Sequence, residues 1–377
     1  MHDYWNKNKK STGQSPATIF RVSEYQKKRL AGCSLFSFLL GQDQDFMKIL
    51  GVETSCDETA AAVFIDDGLA SNVISSQEVH QKFGGVVPEL ASRAHIRLIW
   101  PVVAEAMQEA RLKPTDLDGI AVTYGPGLAG ALLVGINFAK ALSFALKIPY
   151  IGVNHIEGHI FSNSIRQNEL RPPFVALVIS GGHTQLVHVK QWGKYEIVGK
   201  TRDDAAGEAF DKVAKMMDLP YPGGPSIQKT ANKGDSNYIQ LPIGKFKNHD
   251  LDFSYSGLKT AVLYHLQSLA PDERIARKAD IAASFQTAAV QALIDRSLLA
   301  LEKLHLKQLA MAGGVACNTL LREKLKLAGK KHGFELFYPD PVFCTDNAAM
   351  IARAGKFYLE SGVHSTFDLS PKPSLAL

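Results

Sequence analysis

Cysteine is scarce in this chain, and the four present, Cys33, Cys56, Cys317 and Cys344, lie far apart with no C-x-x-C pair. That spacing fits neither a disulfide framework nor a zinc knuckle, and it points to a reducing, cytosolic compartment. Long apolar runs are missing as well. No window is expected to supply the roughly 18 to 20 uninterrupted apolar residues that a membrane span needs, so no membrane partner is expected. There is no phosphate loop of the G-x-x-x-x-G-K-S/T kind, no G-x-G-x-x-G is expected to follow a strand, and neither a P-loop nor a Rossmann unit is expected to handle a nucleotide here. Charge of one sign is not in large excess either: 42 Lys and Arg face 37 Asp and Glu, for a net +5. Residues 1 to 46 hold seven of the bases and four of the acids, which leaves 35 against 33 in the remainder. Bulk charge therefore gives no argument for nucleic acid, and any such surface must be a local patch.

What is present is an ordinary composition for a folded protein, 46% hydrophobic and 21% charged. A length of 377 residues allows two domains or one large α/β unit. Residues 1 to 46 differ in texture, with "NKNKKSTGQSP", "YQKKR" and one short apolar run, "CSLFSFLL". The run is too short for a secretory signal, and the acids Asp3, Glu24, Asp43 and Asp45 do not suit a transit peptide. The segment is expected to be a disordered arm, or an extension upstream of a start at Met47.

From Lys48 the pattern changes. "KILGVET", a polar turn "SCDET" and "AAAVFID" form a hairpin, and "PFVALVIS", "GGHT" and "QLVHVKQ" repeat that plan at 173 to 191. Helices are expected near 89 to 111, 128 to 146, 205 to 218, 257 to 304 and 318 to 332, with a last one from Asp346. They alternate with the strands "GIAVTYG", "IPYIGV", "QLAMAGG" and "FELFYP". The alternation predicts an α/β fold of mainly parallel sheets in two related lobes, 47 to 172 and 173 to 377, with a ligand cleft between them. The last helix is placed to pack back toward the first lobe.

Five turns bring glycine or polar residues to strand ends, where backbone N–H groups can hold an anion: "ETSCDET", "YGPGLAG", "SGGHT", "YPGGPS" and "AGGVACN". Each alone is also what a strand-to-helix turn needs structurally. Twin turns in twin lobes suggest an actin-like or sugar-kinase-like clamp.

In "NHIEGHI", residues 154 to 160, His155 and His159 stand four apart and would share one face of a helix. Such a pair is more often a surface feature than a ligand set. The zinc-protease pattern H-E-x-x-H puts its glutamate directly after the first histidine. Glu157 is instead two residues on, about 200° around a helix, and so faces away from any shared metal. Asp346, in "CTDNAAM", is the candidate third ligand, its structural alternative being the N-cap of the last helix. Two histidines and a carboxylate suit iron(II), and also zinc. In "RDDAAGEAFDKVAKMMDL", Asp203, Asp204 and Glu208 are expected to be solvated or capping, while Asp211 lies one turn in and could face the cleft.

With "ILGVETSCDET", "GGVVPELASRAH", "GPGLAGALLVG", "HIEGH", "ISGGHTQL", "DDAAGEAFDK", "YPGGP", "DFSYSGLKT", "MAGGVACN" and "CTDNAAMIA" in order, the chain resembles the catalytic subunits of bacterial tRNA threonylcarbamoyladenosine synthesis. These were once described as O-sialoglycoprotein endopeptidases. The resemblance implies the two-lobed fold of the actin, sugar kinase and heat-shock ATPase superfamily. It implies transfer of a threonylcarbamoyl group from threonylcarbamoyl-adenylate to the exocyclic amine of the adenosine beside the anticodon, in tRNAs reading codons that begin with A. By the same resemblance His155, His159 and Asp346 correspond to ligands of one divalent metal. Val178, Ile179, Ser180, Gly181, Gly182, Asp211, Gly224 and Asn318 correspond to substrate-binding positions. Implied partners are tRNA, a paralogous non-catalytic subunit and a small ATPase, in the cytoplasm.

Asn154 stands where relatives often have a second histidine, Ala348 replaces a glycine after "CTDN", and "ACN" replaces "SAN". For proton transfer the nearest groups are Asp57 and Glu58, with Glu58 preferred as the catalytic residue; both could equally cap the hairpin turn. A metal-dependent endopeptidase, an actin-like ATPase or sugar kinase, and a non-catalytic scaffold are the rival classes.

Overall fold

The computed structural model describes residues 46–77, 79–80, 85–166, 169–244 and 250–377. The arm expected over 1 to 46 lies outside the described residues up to position 45. Strand β1 (Lys48–Glu53) sends Ile49 into one core and Leu50 and Val52 into another, as the two-residue period of a strand requires. It pairs antiparallel with β2 (Glu58–Ile65), which pairs antiparallel with β3 (Gly68–Ser76). On its other edge β4 (Gly119–Gly125) and β5 (Tyr150–Asn154) add in parallel, giving the order β3-β2-β1-β4-β5.

The second sheet has the same plan. It is built from β6 (Phe174–Ile179), β7 (Thr184–Gln191), β8 (Lys194–Lys200), β9 (Gln308–Ala312) and β10 (Glu335–Phe337), in the order β10-β9-β6-β7-β8. Along β6, Val175, Leu177 and Ile179 enter one core while Phe174, Ala176 and Val178 enter the other. Both faces are covered, which is why the strand reads as an unbroken apolar run.

The sheets are mixed rather than mainly parallel, because each opening hairpin is a three-stranded meander. The third strands, "GLASNVISS" and "KYEIVGK", are rich in small or charged residues and show no clean apolar alternation. That hid them from the sequence pattern.

On the first sheet, α1 (Pro88–Ala110) and α2 (Ala129–Leu146) bury Val103, Leu132 and Ile136 against Leu50, Val52 and Val122. Helix α2 is, among the described residues, the one helix with the length and apolarity to cross a membrane. The expectation of no such window overlooked it because Asn137 and Lys140 interrupt the run. Its Ala131, Leu132, Gly135, Ile136 and Ala139 are buried, the arrangement of a helix lying on a core.

After β5 comes the short α3 (His155–Phe161). The second lobe carries α4 (Ala206–Met216), α5 (Gly223–Ala231), α6 (Ser256–Ser268), α7 (Pro271–Ala276), α8 (Lys278–Leu304) and α9 (Thr319–His332). The single helix expected over 257 to 304 is thus three, broken where Pro271, lacking an N–H, starts α7. "YPGGPS", expected to be only a turn, opens α5.

The chain then returns through α10 (Pro341–Cys344) to α11 (Ala348–Glu360), which packs on the first sheet. Contact there is closer than a side chain allows. A Cβ at Gly51 would lie 2.7 Å from the Ala352 Cβ, and one at Gly355 would lie 2.2 Å from the Ala121 Cβ. The segment after α11 runs along β5, where Ser365 N donates to Tyr150 O at 2.8 Å and Asn154 Nδ2 to Ala376 O at 3.0 Å.

Candidate active site and metal centre

The β5–α3 junction sets the centre of the site. Asn154 caps α3, its Oδ1 accepting from Ile156 N at 2.8 Å, so His155 and His159 project from the same side of one short helix. Their rings lie 4.7 Å apart and both are buried. Asp346 arrives from the loop before α11. Its Oδ1 is 3.5 Å from His155 Nε2 and 3.2 Å from His159 Nε2, and the ligand atoms of the three residues all lie within 4.8 Å of one another.

Asp346 does not cap α11. Asn347 does, accepting from Met350 N at 3.0 Å, so the helix begins at Ala348 and the aspartate is left free to face the histidines.

Sequence reasoning passed over Glu53, the last residue of β1, which is fully buried. Its Oε1 accepts from Ser55 N at 2.5 Å, and its Oε2 accepts from Thr123 Oγ1 at 2.6 Å and lies 3.0 Å from His155 Nδ1. A carboxylate on Nδ1 leaves Nε2 turned toward Asp346, the orientation a metal ligand requires. An acid closing an otherwise apolar strand was the available signal.

Burial opposes every charge here, and the charges hold one another. His155 stands well above the usual histidine range because Asp346 and Glu53 outweigh its desolvation. Burial pushes Asp346 up, but His155 and His159 hold it far below the usual carboxylate range. Glu53 is likewise lowered, the charge of His155 prevailing over burial. Both ring nitrogens of His159 are buried and, among the described residues, make no well-aligned hydrogen bond; Asp346 Oδ1 is the acceptor nearby, at ion-pair distance from Nε2. A buried imidazole left this way is costly in a protein interior, and a cation among two imidazoles and a carboxylate removes the cost. The donor set therefore fits a divalent metal.

Glu157 faces elsewhere. Its Oε1 accepts from Tyr195 Oη at 2.7 Å and Tyr358 Oη at 2.5 Å. Burial raises its carboxyl, those two hydrogen bonds opposing.

Glu58 begins β2 at the far side of the 54–57 turn and is partly buried. Burial raises its carboxyl well above the usual range, with the charges of Asp346 and Asp57 adding to the effect. His95 holds this turn from α1, its Nδ1 2.8 Å from Thr59 Oγ1 and its Nε2 2.9 Å from Cys56 O.

From the second lobe, the β6–β7 turn approaches the same centre. Burial, followed by the charges of His155 and His159, pushes His183 down to about 4. Ser180 N donates to His183 O at 2.8 Å, and around Gly181 and Gly182 there is open space. The side chains of Val178 and Ile179 are fully buried in the cores, so only their backbone is available to a ligand. Asp211 Oδ1 accepts from Gly223 N at 2.7 Å, which fixes the start of α5, and Gly224 beside it faces open space. Tyr221, at the same corner, is pushed up to about 12 by burial and by the charges of Asp211, Asp57 and Glu58. Asn318 caps α9 through Leu321 N at 3.0 Å and donates to Gln286 Oε1 at 2.9 Å. Its side chain is thus engaged within the protein. Asp204 is a structural acid, bound by Lys212 and Lys259.

The stretch 125 to 130, "GPGLAG", does have the G-x-G-x-x-G spacing between a strand and a helix, contrary to the expectation of no Rossmann-like signal. Two of its N–H groups are already committed, Gly127 N to Pro373 O at 3.1 Å and Leu128 N to Ser55 O at 2.8 Å. Through Leu128 N it braces the 54–57 turn.

A model of the family described as tRNA N6-adenosine threonylcarbamoyltransferase matches residues 68–353. A curated protein of that name from Clostridium kluyveri is 52% identical over 338 residues, 89% of this chain and 99% of its own length. One from Clostridium perfringens is 53% identical over 331 residues, 87% of this chain and 98% of its own. Among solved structures, HypF of T. kodakarensis aligns with a TM-score of 0.58 at 16% identity, over 84% of this chain and 48% of that longer one. That last likeness concerns the fold alone.

Proposed function

The chain belongs to the tRNA N6-adenosine threonylcarbamoyltransferase family, and we propose that it performs that transfer through the centre built on His155, His159 and Asp346. The acyl donor is threonylcarbamoyl-adenylate and the acceptor is the N6 amine of the adenosine beside the anticodon; AMP leaves. The observation that supports the metal role is the buried His159, whose ring nitrogens make no well-aligned hydrogen bond among the described residues while Asp346 Oδ1 stands 3.2 Å from Nε2.

A divalent metal bound there, iron(II) in preference to zinc, supplies positive charge for the oxygens of the mixed anhydride. Glu53 orients His155 for that ligand set. An aromatic amine is a poor nucleophile, so the open turns at Gly181, Gly182 and Gly224 matter by holding the adenylate in line with it. Proton transfer at the reacting end falls to Glu58, a role supported by a carboxyl that retains its proton more readily than that of a free glutamate. The Glu157 carboxylate, tied to two tyrosines, offers no base for a peptidase.

The tRNA presents its target base turned out of the anticodon loop. A paralogous subunit and a small ATPase assist in the cytoplasm. Support for a docking face on the first lobe comes from Ile96, Trp100, Leu133 and Phe144, large apolar residues exposed on α1 and α2.

The test incubates the chain and these partners with labelled threonylcarbamoyl-adenylate and tRNA, and compares wild type with His155→Ala/His159→Ala by nucleoside mass spectrometry. Modified adenosine that vanishes in the variant is expected. Modification that survives would make the pair structural, and none from wild type would overturn the transfer itself.

A further inference from the structure

A pocket in the second lobe is used by none of the groups above. It has a volume of about 420 Å³ and lies between α5 and the α7–α8 junction. Lys229 and Lys233 line it from α5 and the turn after it, Lys278 from the first residue of α8, and Leu219, Pro220 and Ile275 form apolar wall. Among the described residues, no carboxylate lines it. Among the described residues, no ion pair or hydrogen bond engages the three ammonium groups. The acid next along α8, Asp280, is taken by Arg277 Nη1 at 3.1 Å and by Asp235 N at 2.8 Å. Three like charges around one concavity repel one another, and an anion within it relieves that repulsion.

Its location gives the anion a context. Leu219 and Pro220 lead directly into Tyr221, the half-exposed ring on which the charges of Asp57, Glu58 and Asp211 act. At 1.5 Å per residue along α5, Lys229 stands about 8 Å from Gly224. The pocket therefore adjoins the mouth of the site. The chain beyond residue 46 is nearly neutral, 35 bases against 33 acids, so attraction for a polyanion has to come from a local cluster such as this.

We propose that the Lys229, Lys233 and Lys278 pocket holds phosphate groups of the tRNA backbone while the target adenosine occupies the site. This rests on the proposed function, and the shared chemistry, a phosphate, could also be supplied by a free anion.

The test is the full chain carrying Lys229→Ala, Lys233→Ala and Lys278→Ala together, a surface change that leaves the core intact. Equilibrium binding of tRNA is measured by filter retention across a salt series, beside transfer with partners present. Expected are tRNA affinity about tenfold weaker, a salt slope shallower by about 2 from about 0.7 per lost contact, and a raised KM for tRNA at unchanged kcat. Unchanged affinity and slope, with wild type active, overturn the phosphate pocket alone; an inactive wild type overturns the proposed function instead. Millimolar inorganic phosphate is the second probe. If the variant binds tRNA like wild type but loses protection by phosphate against heating, the pocket takes a free anion and the backbone assignment falls.

Discussion

Glu53 is a positioning residue for the proposed metal centre, since its hydrogen bond to the candidate ligands runs through His155 Nδ1. Glu53→Gln keeps the shape and removes the charge, and is expected to weaken metal binding about 10- to 100-fold. Metal stoichiometry after dialysis reads this directly; full retention would reduce Glu53 to a structural acid. Glu58 is different, because it touches none of the three candidate ligands and is linked to the centre only by the charge of Asp346 acting on its carboxyl. Glu58→Gln should cut turnover about 100-fold or more while metal content and tRNA affinity stay as in wild type. If transfer stays at the wild-type rate, the proton passes elsewhere.

Among the elements, α11 matters most, because it closes the first lobe and delivers Asp346. Gly355→Val forces a branched side chain against Ala121 and is expected to cost about 1–3 kcal/mol in urea unfolding. It should lower metal content as well, since the Asp346 loop moves with the helix. The segment joining β8 to α4 is tied by Asp204, which accepts from Lys212 Nζ at 2.6 Å and Lys259 Nζ at 2.5 Å. Burial works to raise that carboxyl, but the two lysines lower it beneath its ordinary 3.8. Its contribution is thus fully present above about pH 4 and disappears as pH falls through the lower folded value. Asp204→Asn should cost about 1 kcal/mol at pH 7 and progressively less below pH 4. A difference that is constant with pH would mean packing, not charge.

At the scale of the whole molecule, the centre joins α3, which follows the first sheet, to a loop that follows the second. A metal bound there favours the folded state over the unfolded one. Removing it with a chelator should lower Tm by about 5 °C, the effect of losing a ligand held at about 100 times its Kd, and returning iron(II) or zinc should restore it. A Tm that ignores both treatments would count against a resident metal. The α/β class, the duplicated lobes and the His155–His159 pair were legible in the amino-acid order, because these rest on local periodicity and on four-residue spacing within one helix. It also placed Asp346 and the glycine turns as candidates. Folding in three dimensions was needed to see that Asn347 and not Asp346 caps α11, that Glu53 holds His155, and that three lysines 49 residues apart at their extremes share one pocket. The last two depend on contacts between segments distant in the chain, and local pattern carries no information about which distant side chains meet; the cap is local, but Asp346 and Asn347 are adjacent residues that can both cap, so pattern alone does not choose between them.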